Sequence, residues 1–273
     1  MSTLLDDPLV QAALAPLLLA LMVSGVLQRT RFAWLAVVAA IATEVALSTG
    51  IGFTPLTASR KVLLLVLLAP LIGLALDLWP RPPRATPALL AALGGGAAVW
   101  AFWSVLAQSE PLQMLALAAA LALFVGLMLA LTLRLRHDGA AGGAATVALG
   151  LAVGVTAVLS ASIGNFAHGI ALAVAGAALL LWQFTSQRAL APGYLGMLSV
   201  GLAGALFTGG SFMLAQLPWY AMPALLLVPL AASLNVFAQR PPHLRLAALT
   251  LLCVAVASVP MLAAWLAART PAP

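Results

Sequence analysis

The chain has 273 residues, of which 64% are hydrophobic and only 7% are charged. A soluble domain carries about 25% charged residues. This chain therefore has too few charged side chains to cover the surface of a soluble protein of this size. This shortage excludes a soluble enzyme, a nucleic-acid-binding domain and a disordered chain. The composition and a mean hydropathy of +1.14 instead predict an all-α, polytopic membrane helix bundle.

Ten membrane helices are predicted from the apolar runs, because a bilayer core of about 30 Å needs roughly 20 apolar residues in helical form. The connections between them are too short for a soluble domain. We therefore expect one integral membrane domain over residues 1–273, with candidate halves at 1–136 and 137–273. The predicted helices lie near residues 8–27, 32–49, 61–79, 86–107, 112–133, 143–163, 165–184, 194–215, 218–238 and 246–267.

The basic residues give the orientation, because short cytoplasmic connections are enriched in Arg and Lys. Two of them, Arg60 and Lys61, lie in the even-numbered connections. Nine lie in the odd-numbered ones: Arg29, Arg31, Arg81, Arg84, Arg134, Arg136, Arg188, Arg240 and Arg245. Both termini are therefore expected outside. The strong preference for Arg over Lys is typical of a GC-rich bacterial genome, so we expect a multi-pass protein of the bacterial inner membrane with periplasmic termini.

Glu44 is the most unusual residue, because it lies within the second predicted helix, about four residues from its outer end. A charged side chain inside a membrane helix costs about 3 kcal/mol on insertion scales. Arg60 and Lys61 begin the next helix at the same membrane face, which makes an ion pair with Glu44 feasible. Two interpretations stay open: a proton, cation or substrate site, and a structural ion pair.

A second polar cluster lies where the sixth predicted helix meets the seventh, at Ser160, Asn165 and His168. His168 is the one histidine predicted within a helix, and a histidine there is a candidate proton carrier. The hydroxyl groups have a simpler alternative, since they often bond the backbone of their own or a neighbouring helix.

Small residues at helical spacing predict close helix packing. Gly150 and Gly154 form a GxxxG pattern on the sixth helix, and Gly201 and Gly204 share a face of the eighth. Such residues let two helices approach closely in lipid. Packing inside the bundle is favoured here over a dimer face.

Helix-breaking residues occur at corresponding places in the two halves. Gly94, Gly95 and Gly96 lie in the middle of the fourth helix, and Pro223 and Pro229 lie in the ninth. Interrupted helices at matching positions of inverted repeats point to a transporter site. The layout resembles, in architecture alone, that of ten-helix carriers with crossed, broken fourth and ninth helices, such as the bile-acid symporter and auxin-carrier-like groups.

Transport of a small solute, with protons as a candidate coupling ion, is the leading functional prediction. One alternative is a non-catalytic membrane subunit, scaffold or assembly factor. Another is a membrane enzyme that acts on a lipid-linked substrate at the outer face. Walker, zinc-helix and Asp-rich prenyl-diphosphate motifs are missing from the sequence, so transport is favoured over catalysis and neither a cofactor nor a metal is predicted. The expected partners are the lipid bilayer, a small-molecule substrate and other membrane proteins, and nucleic acid is not among them.

Overall fold

The computed structural model describes residues 7–48, 54–186, 190–215, 219–234, 237 and 239–269. Within this part of the chain all the regular elements are helices. Ten apolar segments follow one another: α1 Ala15–Leu27, α2 Leu35–Ser48, α3 Ala58–Leu78, α4 Thr86–Leu106, α5 Pro111–Arg134, α6 Gly139–Leu159, α7 Ile163–Ser186, α8 Gly193–Ala215, α9 in two pieces, α9a Ala221–Leu225 and α9b Leu227–Ala232, and α10 Pro242–Arg269. A π-helical turn, Val10–Leu14, precedes α1, and 3-10 turns, Arg31–Trp34 and Leu135–His137, precede α2 and follow α5.

These segments correspond one to one with the ten predicted helices. Eight are long and apolar enough to cross a membrane, while the helical stretch ending in α2 and the two-piece α9 are shorter. The prediction of a polytopic helical membrane bundle is therefore confirmed. Residues 49–53 of the second connection and Arg188, one of the nine basic residues used for the orientation, lie outside the described residues.

Short connections make successive helices run in opposite directions, so the chain alternates between two ends of the bundle. We call the end that carries Arg81, Arg136 and Arg245 the inner end, and the opposite end the outer end. In α6, α7 and α8, more than half of the hydrophobic stretch is buried within the bundle. In α1, α5 and α10 less than a third is buried, so these helices present most of their surface to lipid.

Glycines bring α6 and α7 into backbone contact along their length. A Cβ atom built on Gly150 would lie 2.3 Å from the backbone nitrogen of Ala173. One built on Gly169 would lie 2.4 Å from the backbone nitrogen of Gly154. Real Cβ atoms do not approach backbone this closely, so only glycine fits at these two positions. The expectation that the GxxxG pattern serves internal packing is confirmed for α6.

The turn between α6 and α7 is centred on Ala161, three residues before the boundary that we expected at Gly164. Ala161 has a φ of 59°, which is the left-handed region. The Ser162 N–H donates to the Ala157 carbonyl (2.8 Å) and the Ala161 N–H to the Val158 carbonyl (3.0 Å). These two bonds form the Schellman motif that ends many helices. The sixth and seventh helices are therefore separate.

The predicted break in the fourth helix is corrected by the structure, because Gly94, Gly95 and Gly96 lie inside the continuous helix α4. Gly94 and Gly95 make room for α5 instead. A Cβ atom on Gly94 would lie 2.1 Å from the Leu129 side chain, and one on Gly95 would lie 2.7 Å from the Ala122 carbonyl oxygen. The sequence pattern was real, but close helix packing rather than unwinding explains it.

The predicted break in the ninth helix is confirmed, at Leu226 between Pro223 and Pro229. Pro229 has no N–H to donate to the Leu225 carbonyl one turn earlier, so the helix cannot continue regularly through this point. Pro223 lines an apolar groove against α5 of about 250 Å³, together with Phe124. The resemblance to carriers with two crossed, broken helices therefore does not extend to α4.

Candidate functional site

The structure pairs Glu44 with His168, both of which the sequence placed inside membrane helices. Glu44 lies one turn before the outer end of α2, and His168 lies near the outer end of α7, where that helix begins. The Glu44 Oε2 and the His168 Nδ1 are joined by a hydrogen bond, which becomes an ion pair when the imidazole is protonated. The two side chains therefore form one hydrogen-bonded unit.

This unit is cut off from bulk solvent. Glu44 is fully buried, and His168 is only 6% exposed. The second carboxylate oxygen of Glu44, Oε1, has no hydrogen-bond partner among the described residues. A buried carboxylate with one unpaired oxygen is energetically unfavourable, and groups of this kind concentrate at functional sites in membrane proteins.

Aromatic and amide side chains from α7 and α8 surround the imidazole. The Phe207 ring lies against it, with ring centroids 4.6 Å apart and the planes tilted by 33°. One turn before His168, the Asn165 Nδ2 donates to the Ser211 Oγ (3.0 Å), and the Ser211 hydroxyl donates to the Phe207 carbonyl (3.1 Å). This chain of contacts fixes His168 and Asn165 relative to α8.

A small cavity opens beside the imidazole at the outer ends of α3, α4, α7 and α8. His168, Asn165, Ser59 and the rings of Phe102 and Phe207 line it. The space open to the centre of a water molecule is about 20 Å³, and a single water needs about 10–15 Å³ by this measure. The cavity thus has room for about one water beside the histidine and is too small for a larger solute.

Arg60 and Lys61, the expected partners of Glu44, have other contacts. The Arg60 Nη1 donates to the Pro55 carbonyl (3.0 Å) in the loop before α3. The Lys61 Nζ lies 4.9 Å from the centroid of the Trp100 ring. The ion pair of Glu44 with Arg60 or Lys61, which the sequence made feasible, is therefore not formed. Glu44 instead pairs with His168, which comes from a distant part of the chain.

Of the other predicted residues, Asn165 joins the site and Ser160 does not. The Ser160 hydroxyl donates to the carbonyls of Thr156 (3.0 Å) and Ala157 (3.1 Å) at the end of α6. Such bonds to the preceding turn are ordinary for a serine in a membrane helix. Ser160 therefore has a local structural role. Pro223, with its groove against α5, belongs to a different part of the bundle.

Two further polar residues are of interest, and one of them, Gln183, was missed at the sequence level. Gln183 near the inner end of α7 is buried, yet neither of its amide atoms has a hydrogen-bond partner among the described residues. Asp77 of α3 accepts hydrogen bonds from the backbone N–H groups of Tyr194 (2.8 Å) and Leu195 (2.9 Å) at the start of α8. The available signal for Gln183 was a carboxamide directly after the long apolar stretch 169–182 of α7.

The chemistry that the outer arrangement can perform is proton transfer. An imidazole can accept a proton at one ring nitrogen and release one from the other. His168 presents Nδ1 to Glu44, and its ring lines the cavity, so a proton arriving at Nε2 can leave through Nδ1 to the carboxylate.

Among the described residues, no three His, Cys, Asp or Glu side chains converge to hold a metal ion. No protein-family model, curated protein or solved structure matches the chain.

Proposed function

We propose that this protein is an inner-membrane transporter of a small polar solute that uses Glu44 and His168 as its proton site. The observation that carries the proposal is the buried pair between α2 and α7, with one carboxylate oxygen unpaired. Paired ionisable groups inside a membrane bundle typically mark proton or substrate pathways. The orientation, with both termini in the periplasm, belongs to the same proposal and rests on the basic residues of the connections.

The charge of the Glu44–His168 pair provides a physical basis for coupling proton movement to solute movement. With one shared proton the pair is neutral. Loss of that proton leaves a net negative charge in the bundle, and gain of a second leaves a positive one. Each charged form is unfavourable in a dry interior, so hydration or a solute group must accompany it. A conformational change that admits solute is thereby linked to the protonation of the pair.

The helices that hold the pair also suit alternating access. If the halves 1–136 and 137–273 are inverted repeats, α2 corresponds to α7 and α3 to α8. Both of these pairs are in contact, as expected for helices that lie beside a two-fold axis between the halves. The backbone contacts between α6 and α7 make those two helices a rigid hairpin that carries His168, whereas Glu44 lies on α2. Movement of the hairpin relative to α2 would then open the pair.

The alternatives have less support. The enzyme hypothesis needs Glu44, Arg60, Lys61 and His168 in one outer cleft, and the two cations have other contacts. The scaffold hypothesis has one observation in its favour, the apolar groove between α5 and α9a, with Trp219 at its edge. That groove accounts for neither the buried carboxylate nor its unpaired oxygen.

Proton-coupled uptake into proteoliposomes tests the proposal. Purified protein is reconstituted with a pH-sensitive dye in the lumen, and panels of amino acids, sugars, nucleosides and organic cations are added outside. We expect at least one solute to acidify the lumen with wild-type protein. Glu44→Gln keeps the shape of the side chain and removes its titration, so acidification should fall at least tenfold.

The matched control is Thr43→Val, at the same depth of α2. The Thr43 hydroxyl donates to the carbonyl of Ala39 in its own helix (2.7 Å), so its removal should leave acidification unchanged. Equal solute-driven acidification by Glu44→Gln and wild type would contradict the proton role of the pair. Lack of acidification by every solute, with wild-type complementation of a deletion strain by Glu44→Gln, would contradict proton-coupled transport altogether.

A further inference from the structure

A second polar site lies at the inner end of the bundle, between the ends of α6, α7 and α10. A cavity there is lined by Ala140, Gln183, His243 and Arg245, with the apolar side chains of Phe184 and Leu246. The space open to the centre of a water molecule is about 50 Å³, which is room for several waters or for one small polar group.

Gln183 is the unusual member of this site. Its side chain is 4% exposed, and neither Oε1 nor Nε2 has a hydrogen-bond partner among the described residues. Nearly all buried polar groups in proteins are paired, and an unpaired one costs stability. Here one acceptor and two donors of a single amide line the cavity. They require a group that both donates and accepts hydrogen bonds.

The charges around the cavity decide what kind of group fits. Arg245 is ion-paired with Asp138, whose other carboxylate oxygen accepts the N–H of Ala141 at the start of α6 (3.1 Å). The guanidinium is therefore already neutralised by a carboxylate that the fold holds in place. His243 is exposed at the rim. Such a site has no strong net charge with which to select an ion, so a neutral polar group suits it.

The position of Gln183 in α7 lies within one residue of the position that Glu44 has in α2. Gln183 lies three residues before the end of α7, and Glu44 lies four residues before the end of α2. In inverted repeats these places are equivalent and lie at opposite membrane faces. His168 and Gln183 are fifteen residues apart on one helix, which is about 22 Å at 1.5 Å per residue. α7 thus links the outer polar site to the inner one.

We propose that Gln183 forms an inner binding site, open to the cytoplasm, for a neutral hydroxyl- or amide-type group. Two sources supply this chemistry, namely water and the transported solute. Naming the solute as a source rests on the proposed function, whereas the polar site itself does not.

Cysteine labelling in membrane vesicles tests this site, with Cys253→Ala as the background because Cys253 is the one cysteine in the chain. Ala140→Cys places a thiol in the cavity next to an intact Gln183. The control is Ala144→Cys, one turn further along α6 and fully buried. A charged methanethiosulfonate reagent that does not cross membranes is added to inside-out and to right-side-out vesicles.

We expect Ala140→Cys to react at least tenfold faster than Ala144→Cys in inside-out vesicles, and not in right-side-out ones. Acetamide, a neutral donor and acceptor, is then added as the competing probe. If the site binds solute-type groups, acetamide should slow labelling at least threefold when Gln183 is present and not in Gln183→Leu. Fast labelling that acetamide does not slow assigns the site to water alone.

Equal labelling of the two cysteines, or acetamide protection that persists in Gln183→Leu, would overturn the proposal. Size-exclusion chromatography of each variant in detergent establishes that it is folded before labelling is compared. The assay requires no transport, so a negative result here is distinguishable from a failure of the proton site at Glu44 and His168.

Discussion

The Glu44 carboxylate on α2 and the His168 imidazole on α7 bond each other across 124 residues of sequence. They meet near the outer end of the bundle, where the alternation of helix direction brings the end of α2 and the beginning of α7 to one level. The Phe207 ring packs against the imidazole and covers part of it. An isolated charge at this depth would be unfavourable, so the contact between Glu44 and His168 lowers the energetic cost of burying each side chain.

The first prediction separates the structural role of this pair from its functional role. Glu44→Met alone leaves His168 without its partner and should lower the free energy of unfolding by about 3–5 kcal/mol. Glu44→Met with His168→Leu removes both polar groups and should recover most of that loss, because apolar replacement of a buried pair is often neutral. Unfolding of purified protein in mixed micelles with increasing SDS measures both.

The activity of the double variant then distinguishes a structural role of the pair from a functional role. We expect it to be folded and inactive in solute-driven proton uptake and in complementation of a deletion strain. A stable double variant with wild-type complementation would mean that the pair only joins α2 to α7.

The second prediction uses two neighbouring glycines of α4. Gly95→Ala would place a Cβ atom 2.7 Å from the Ala122 carbonyl oxygen, whereas Gly96→Ala meets nothing within 4 Å. Overpacking against backbone costs about 1–3 kcal/mol, so Gly95→Ala should lower the melting temperature in detergent. Gly96→Ala should be neutral or stabilising, because alanine favours helix by up to about 1 kcal/mol over glycine. Equal effects of the two would indicate that α4 and α5 are less closely packed than described.

These glycines also show which features of the fold could be predicted from the sequence and which could not. The ten helices were predictable, because lipid-facing side chains must be apolar and the bilayer sets the length of a spanning helix. The role of Gly94, Gly95 and Gly96 was not, because a run of glycines permits either unwinding or close helix contact. Only the position of α5 decides between the two.

Two members of the candidate site were predictable from the sequence, but their pairing was not. Glu44 and His168 are conspicuous because ionisable groups in an apolar helix are costly. Their contact depends on how α2 packs against α7, which local sequence does not contain, and Arg60 was the nearer partner along the chain. Gln183 escaped notice because a neutral amide is tolerated in a helix, and its lack of partners is visible only in the packed structure.

The third prediction concerns the turn between α6 and α7. Ala161 adopts a φ of 59° at the position where a Schellman motif normally has glycine. The left-handed conformation costs a residue with a Cβ atom about 1–2 kcal/mol. Ala161→Gly should therefore raise the free energy of unfolding by about 1 kcal/mol, and Ala161→Val should lower it. SDS titration measures both, and an unchanged or lower stability of Ala161→Gly would argue against this turn geometry.

The fourth prediction concerns Asp77, which holds the beginning of α8 against α3. Its carboxylate accepts the N–H groups of Tyr194 and Leu195. Asp77→Ala leaves these donors unpaired and should cost about 2 kcal/mol, within the range for lost buried hydrogen bonds. Asp77→Asn keeps one acceptor oxygen and should cost less than Asp77→Ala. Melting temperatures in detergent rank the variants, and equal stability of Asp77→Ala and wild type would show that the start of α8 does not depend on this contact.

The last prediction is the orientation of the bundle. Alternating helix directions put the odd-numbered connections at one end, and those connections carry nine basic residues against two in the even-numbered ones. Short basic connections stay in the cytoplasm during insertion. Phosphatase and fluorescent-protein fusions after residues 30, 84, 136 and 240 should therefore report the cytoplasm. Fusions after residues 110 and 217 and at the C-terminus should report the periplasm. One span follows the ninth connection, which lies at the inner end. A cytoplasmic signal from the C-terminal fusion would contradict this single crossing and with it the ten-helix topology. It would also remove the five-plus-five division and, with it, the equivalence of Glu44 and Gln183 at opposite membrane faces.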